Sequence, residues 1–173
     1  MPMTLRSLLP SLGLALLAAG AAQAQAPNPL DTVPEKMPFD VPYGSPISLE
    51  RADAVVSAAV ADARGRGWKL VCAVVDSGAN LVTLKRMDGA QLASNDIAMH
   101  KARTSVKYRR ESKVFETAVQ NGLTYLVTLD DMVASRGGIP LVEAGKIIGA
   151  IGCSGGTGSQ DEVSARAGVA TIK

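Results

Sequence analysis

The feature that most constrains the fold is a run near the end of the chain, residues 145–162: an apolar segment rich in Ile and Gly, a cluster of glycines, then an acidic stretch. Lys146 to Cys153 has the apolar character of a buried strand. Gly149 and Gly152 within it imply that another backbone or a helix packs closely on that strand. Ser154, Gly155, Gly156 and Gly158 then break it with residues that tolerate unusual backbone angles. Two overlapping capping boxes follow, Thr157 with Gln160 and Ser159 with Glu162. Asp161 and Glu162 fall where a helix dipole favours negative charge. The segment is therefore read as a tight strand-to-helix junction, with backbone N–H groups gathered at its mouth.

The other end of the chain reads as an export signal over residues 1–26. Arg6 is the sole charge before Asp31, and Leu8 to Ala22 is apolar, interrupted by Pro10. The Ala-x-Ala steps at Ala22–Ala24 and Ala24–Ala26 match a cleavage site, which places the mature start near Gln25 or Pro27. The apolar run is shorter than the ~20 residues that span a bilayer, so no stable membrane span is expected. Residues 27–46 hold six prolines and form an extended leader. One domain occupies residues 47–173.

Within that domain, Ser48 can cap a helix whose apolar positions run from Leu49 through Ala52, Val55, Val56, Ala59, Val60 and Ala63. Trp68–Asp76 and Asn80–Asp88 read as a hairpin across Ser77-Gly78-Ala79. Ser94–Tyr108 is a helix with Ala98, Ala102 and Ser105 on a close-packing face. Ser112 can cap a short helix to Val119. Leu123–Leu129 is either a strand or irregular. Val133–Ser135, Ile139–Glu143 and Lys146–Cys153 read as strands, and a last helix spans Gln160–Thr171. A hairpin, then helices, then more strands argues for an α+β fold with helices on an antiparallel sheet.

Three ordered blocks of this domain resemble the GlcG/HbpS-like family, also called haem-binding-like or PduO C-terminal-like. The first runs Val74-Val75-Asp76 to Gly78, then Leu81-Val82 and Arg86-Met87-Asp88-Gly89-Ala90. The second is Ala98 with Lys101-Ala102 and Thr104. The third is Gly137-Gly138-Ile139-Pro140, Gly145, Ile148-Gly149-Ala150-Ile151-Gly152, Ser154-Gly155-Gly156-Thr157 and Gln160-Asp161. Cys153 stands where the family leads one to expect Val. The resemblance implies a profilin-like or PAS-like five-stranded antiparallel sheet, a homo-oligomer, and haem or a related tetrapyrrole as ligand.

Few residues are equipped for chemistry. Aromatics make up 3% of the chain, leaving few rings to stack on a planar ligand. The formal net charge of +2 argues against broad nucleic-acid binding. The two cysteines, Cys72 and Cys153, lie in apolar strands. They are read as buried free thiols, although a disulfide is possible if the strands are neighbours. The single histidine, His100, rules out a two-histidine metal site within one subunit. It stands among Lys101, Arg103, Lys107, Arg109, Arg110 and Lys113. It is either a surface residue on a solvated basic face or an axial haem ligand with cations for the propionates. Lys101 either forms an ion pair with Asp76, Asp88 or Asp161, or meets a ligand. Gly155, Gly156 and Thr157 can bind an anion or simply complete a helix cap.

The reading is of a periplasmic or secreted protein that binds a small molecule, most of all a tetrapyrrole, without catalysis. An accessory protein or enzyme for a small hydroxy-acid or aldehyde such as glycolate is the second reading, and a ligand-free structural oligomer the third.

Overall fold

A computed structural model describes residues 32–37 and 39–173. The expected signal segment, residues 1–26, lies outside the described residues.

Among the described residues, four α-helices and four strands follow in the order α1 (Leu49–Gly65), β1 (Val71–Asp76), β2 (Leu81–Arg86), α2 (Ser94–Lys107), α3 (Ser112–Gln120), β3 (Gly138–Glu143), β4 (Lys146–Ser154) and α4 (Gly158–Val169). A short 3-10 turn at Thr124–Thr128 joins α3 to the segment before β3. The strands form one antiparallel sheet in the order β2-β1-β4-β3. The α+β antiparallel architecture is as expected.

The apolar pattern of each strand explains the layers. β1 is covered on both faces, and its side chains alternate between them. Cys72 and Val74 join α1, Leu141, Ile151 and Ala165 of α4 in one core. Val71, Ala73 and Val75 point the other way, toward Ala98, Ala102 and Val106 of α2. Thus α1 and α4 cover one face and α2 the other. The small residues of α2 let it settle almost onto the backbone of β4. A Cβ at Gly152 would collide with the Ala98 carbonyl oxygen, which is the close approach the strand glycines imply.

Four strands are described where the family resemblance implies five. Val133–Ser135 is a loop, because the Val133 N–H donates to the Thr104 hydroxyl at 2.9 Å instead of to a strand. The end of the leader makes a partial substitute. Beyond the end of β1, Tyr43 forms an isolated parallel bridge with Ile147. The Gly44 N–H donates to the Ile147 carbonyl at 2.8 Å, and the Ile147 N–H donates to the Pro42 carbonyl at 2.8 Å.

Two further expectations are corrected. Cys72 and Cys153 are not free thiols; they are joined in a disulfide. The sheet order makes β1 and β4 neighbours, and their register sets these residues directly opposite each other, with Cα atoms 4.2 Å apart. Ser112 does not cap α3. Glu111 takes that position without a side-chain bond. The Ser112 hydroxyl instead accepts from the Gly138 N–H at 2.8 Å, tying α3 to β3.

Candidate functional site

The glycine junction is built as a closed cap. Thr157 is the N-cap of α4, in an extended conformation. Its hydroxyl accepts from the Gln160 N–H at 3.3 Å, and its own N–H donates to the Gln160 side-chain oxygen at 2.8 Å. This is the first of the two expected capping boxes. The second does not form, because Ser159 already lies within the helix. Gly155 turns the chain with φ 139°. A Cβ there would fall 2.5 Å from the Lys69 carbonyl oxygen, so the position requires glycine. Gly156 has no such angle, and a Cβ there would meet the Gln160 side chain at 2.7 Å.

An anion does sit at this junction, and the chain supplies it. One oxygen of Asp161 accepts from the Gly156 N–H at 3.0 Å. The other accepts from the Lys101 ammonium at 2.8 Å. Both side chains are at most 3% exposed. Lys101 thus forms the ion pair with Asp161, one of the partners the sequence leaves open. Gly137, at φ 114°, lies against this pair, where a Cβ would come 2.9 Å from that of Asp161. The junction therefore brings Lys101, Gly156 and Thr157 together around Asp161.

The pair borders a wider network. The Arg136 guanidinium contacts Glu116 at 2.7 Å and Glu162 at 3.8 Å. Glu162 also meets Lys113 at 3.4 Å and Arg166 at 2.7 Å. Burial alone would raise the Glu116 carboxyl, but the hydrogen bonds and charge of Arg136 bring it below its ordinary value. The same balance, with Arg166 and Lys113 opposing burial, lowers Glu162. Sequence reading misses Glu116 and Arg136 here, because 20 residues separate them and neither lies in a motif.

His100 stands apart from this junction. One residue along an α-helix rotates a side chain by about 100°, so Lys101 can enter the core while His100 remains exposed. Its electrostatic neighbour is Asp131. The hydrogen bond from Lys107 first, then the charges of Lys107, Arg103 and His100, outweigh burial and hold the Asp131 carboxyl below its usual range. The Thr104 hydroxyl donates to the Asp131 carbonyl at 2.9 Å and fixes this loop on α2. The segment leading into the loop exposes Tyr125, Val127 and Leu129. Among the described residues, no group of three or more His, Cys, Asp or Glu could hold a metal ion. Asp76 is a turn residue, accepting from the Gly78 and Asn80 N–H groups at 2.8 and 2.9 Å.

The chain as a whole is similar to proteins already known. GlcG of Escherichia coli K12 is 40% identical over 108 residues, covering 62% of this chain and 81% of GlcG. A crystal structure of a Streptomyces reticuli HbpS double mutant is 28% identical with a TM-score of 0.71, covering 88% of this chain and 98% of HbpS. PduOC, solved in complex with haem, is 28% identical with a TM-score of 0.68, covering 74% of this chain and 96% of PduOC. The family model described as haem degrading protein HbpS-like matches residues 47–170. Lys101, Gly156 and Thr157 around Asp161 are thus a feature of a chain that belongs to the HbpS-like family.

Proposed function

We propose that this chain is an exported protein that binds haem or a related tetrapyrrole. The observation that carries the reading is its likeness to PduOC in complex with haem, together with its membership of the HbpS-like family. His100 is the ligand residue. Its exposed imidazole fits an iron that must be reached from solvent, and Arg103, whose charge acts with that of His100 on Asp131, is a cation for a propionate. The apolar side chains of Tyr125, Val127 and Leu129 offer surface for a macrocycle or for a second copy of the chain. Bound haem would supply an iron centre able to take part in redox chemistry. Lys101 contributes from inside the fold, holding α2 against α4 through Asp161.

The Cys72–Cys153 disulfide supports an oxidising compartment, in keeping with the export signal read at residues 1–26. No helix of the described residues is long and apolar enough to cross a membrane.

Haemin titration followed by absorption spectroscopy tests the reading. Wild type should shift the Soret band, and His100→Ala should weaken binding and alter the spectrum. Identical titrations for the two proteins would remove His100 as ligand, and an absence of any Soret shift would refute haem binding. Intact mass of protein recovered from the periplasm should correspond to a start near Gln25 or Pro27. A mass retaining Met1 would refute cleavage.

A further inference from the structure

Helix α2 ends on a residue that is usually glycine. The Arg109 N–H donates to the Val106 carbonyl and the Arg110 N–H to the Ser105 carbonyl, the paired bonds of a Schellman ending. Arg109 takes the left-handed position at φ 55°, where a side chain carries a conformational cost. Arg110 follows. Its guanidinium lies 3.2 Å from the Phe39 ring centroid and 4.9 Å from that of Phe115, and its Nε donates to the Tyr108 carbonyl at 3.0 Å. Burial first, then the charge of Arg109, lowers its tendency to hold a proton, yet an arginine remains charged.

These two cations are poorly neutralised. Among the described residues, Arg110 has no carboxylate partner, and Arg109 reaches only Asp40, at 4.0 Å, which is 83% exposed. Adjacent like charges partly withdrawn from water are unfavourable unless an anion compensates them. Both arginines line a cleft of about 390 Å³. Its floor is apolar, formed by Ile139, Val142, Ile147, Val169 and Ile172. Arg166 and Glu111 at its edge already contact each other at 2.7 Å.

We propose that this cleft binds a small organic acid with one carboxylate on an apolar body. The carboxylate meets Arg109 and Arg110, and the body covers the apolar floor. A guanidinium presents the planar donors that suit a carboxylate. Small hydroxy-acids such as glycolate lack the body and would leave the floor bare. The site uses neither His100 nor the Asp161 junction.

Octanoate is the probe, with octylamine and glycolate as controls, measured by calorimetry and thermal shift. Octanoate should bind and raise the melting temperature, whereas octylamine should not, and glycolate should bind far more weakly. Arg109→Gly suits the left-handed backbone, so it keeps the fold while removing one guanidinium. It should weaken octanoate by roughly tenfold, as expected for a lost charge-assisted contact. Val142→Asp, which sets a carboxylate at the cleft, should abolish binding. Equal binding of octanoate and octylamine would overturn the proposal. So would an Arg109→Gly protein that folds normally and binds octanoate as wild type does.

Discussion

The ammonium of Lys101 meets the carboxylate of Asp161 at 2.8 Å in the interior, joining the middle of α2 to the first turn of α4. A buried pair of this kind is costly to break from one side, because the remaining charge is stranded away from water. Asp161→Ala should therefore destabilise the fold by about 3–5 kcal/mol. Asp161→Asn keeps an acceptor for the Gly156 N–H and should cost less. Lys101→Met with Asp161→Asn should recover much of the loss, since no charge is left behind. Urea unfolding of wild type, these three variants and Lys101→Met alone checks this. A double variant as unstable as the two single losses added together would show that the charges do not act as a pair.

The two junction glycines should differ. Gly155→Ala forces a Cβ against the Lys69 carbonyl oxygen at a backbone angle of φ 139°, and should cost about 2–4 kcal/mol. Gly156→Val displaces only the Gln160 side chain and should cost about 1 kcal/mol, the value of a lost cap. Thermal unfolding that ranks Gly156→Val as the worse would show that the cap outweighs the turn.

Reduction should weaken the protein. The disulfide closes a separation of 81 residues, so its loss should cost about 2–4 kcal/mol. Cys153→Val should behave like the reduced protein, because Val fills the same buried position. A melting temperature unaffected by reductant, with reduction verified by intact mass, would rule out a stabilising role.

Acid should destabilise the network around Arg136. The folded-state values of Glu116 and Glu162 lie below the ordinary 4.5. Their stabilisation is present above pH 4.5 and is lost as pH falls through the depressed folded values, where the unfolded chain binds more protons. Glu116→Gln should flatten the loss of unfolding free energy below that pH. An unchanged slope would place the acid sensitivity elsewhere.

Local signals carried the sequence reading where structure is local. The stripe from Ala52 to Ala63 gave α1, and Thr157 with Gln160 gave the cap of α4. The close approach at Gly152 was legible because a strand glycine leaves room for a helix. Relationships across the sheet were not legible. Cys72 and Cys153 meet only because β1 and β4 are neighbours in that register, and no spacing along the chain encodes it. Lys101 had several acidic candidates, and only the fold selects Asp161. Arg109 and Arg110 read as part of a solvated basic run, since neither the left-handed ending of α2 nor the apolar floor beside it is visible in sequence.

The sheet order has a consequence for assembly of the chain. Two hairpins that can each form locally, β1-β2 and β3-β4, are joined edge to edge by β1 and β4, with α2 and α3 between them in sequence. Closing that seam requires a long loop to be brought together, which slows folding. Until β4 arrives, the run Val71-Cys72-Ala73-Val74-Val75 has an open edge and two apolar faces. A fragment truncated before Lys146 would therefore present a self-associating strand, and productive folding must wait for β4, near the end of the chain.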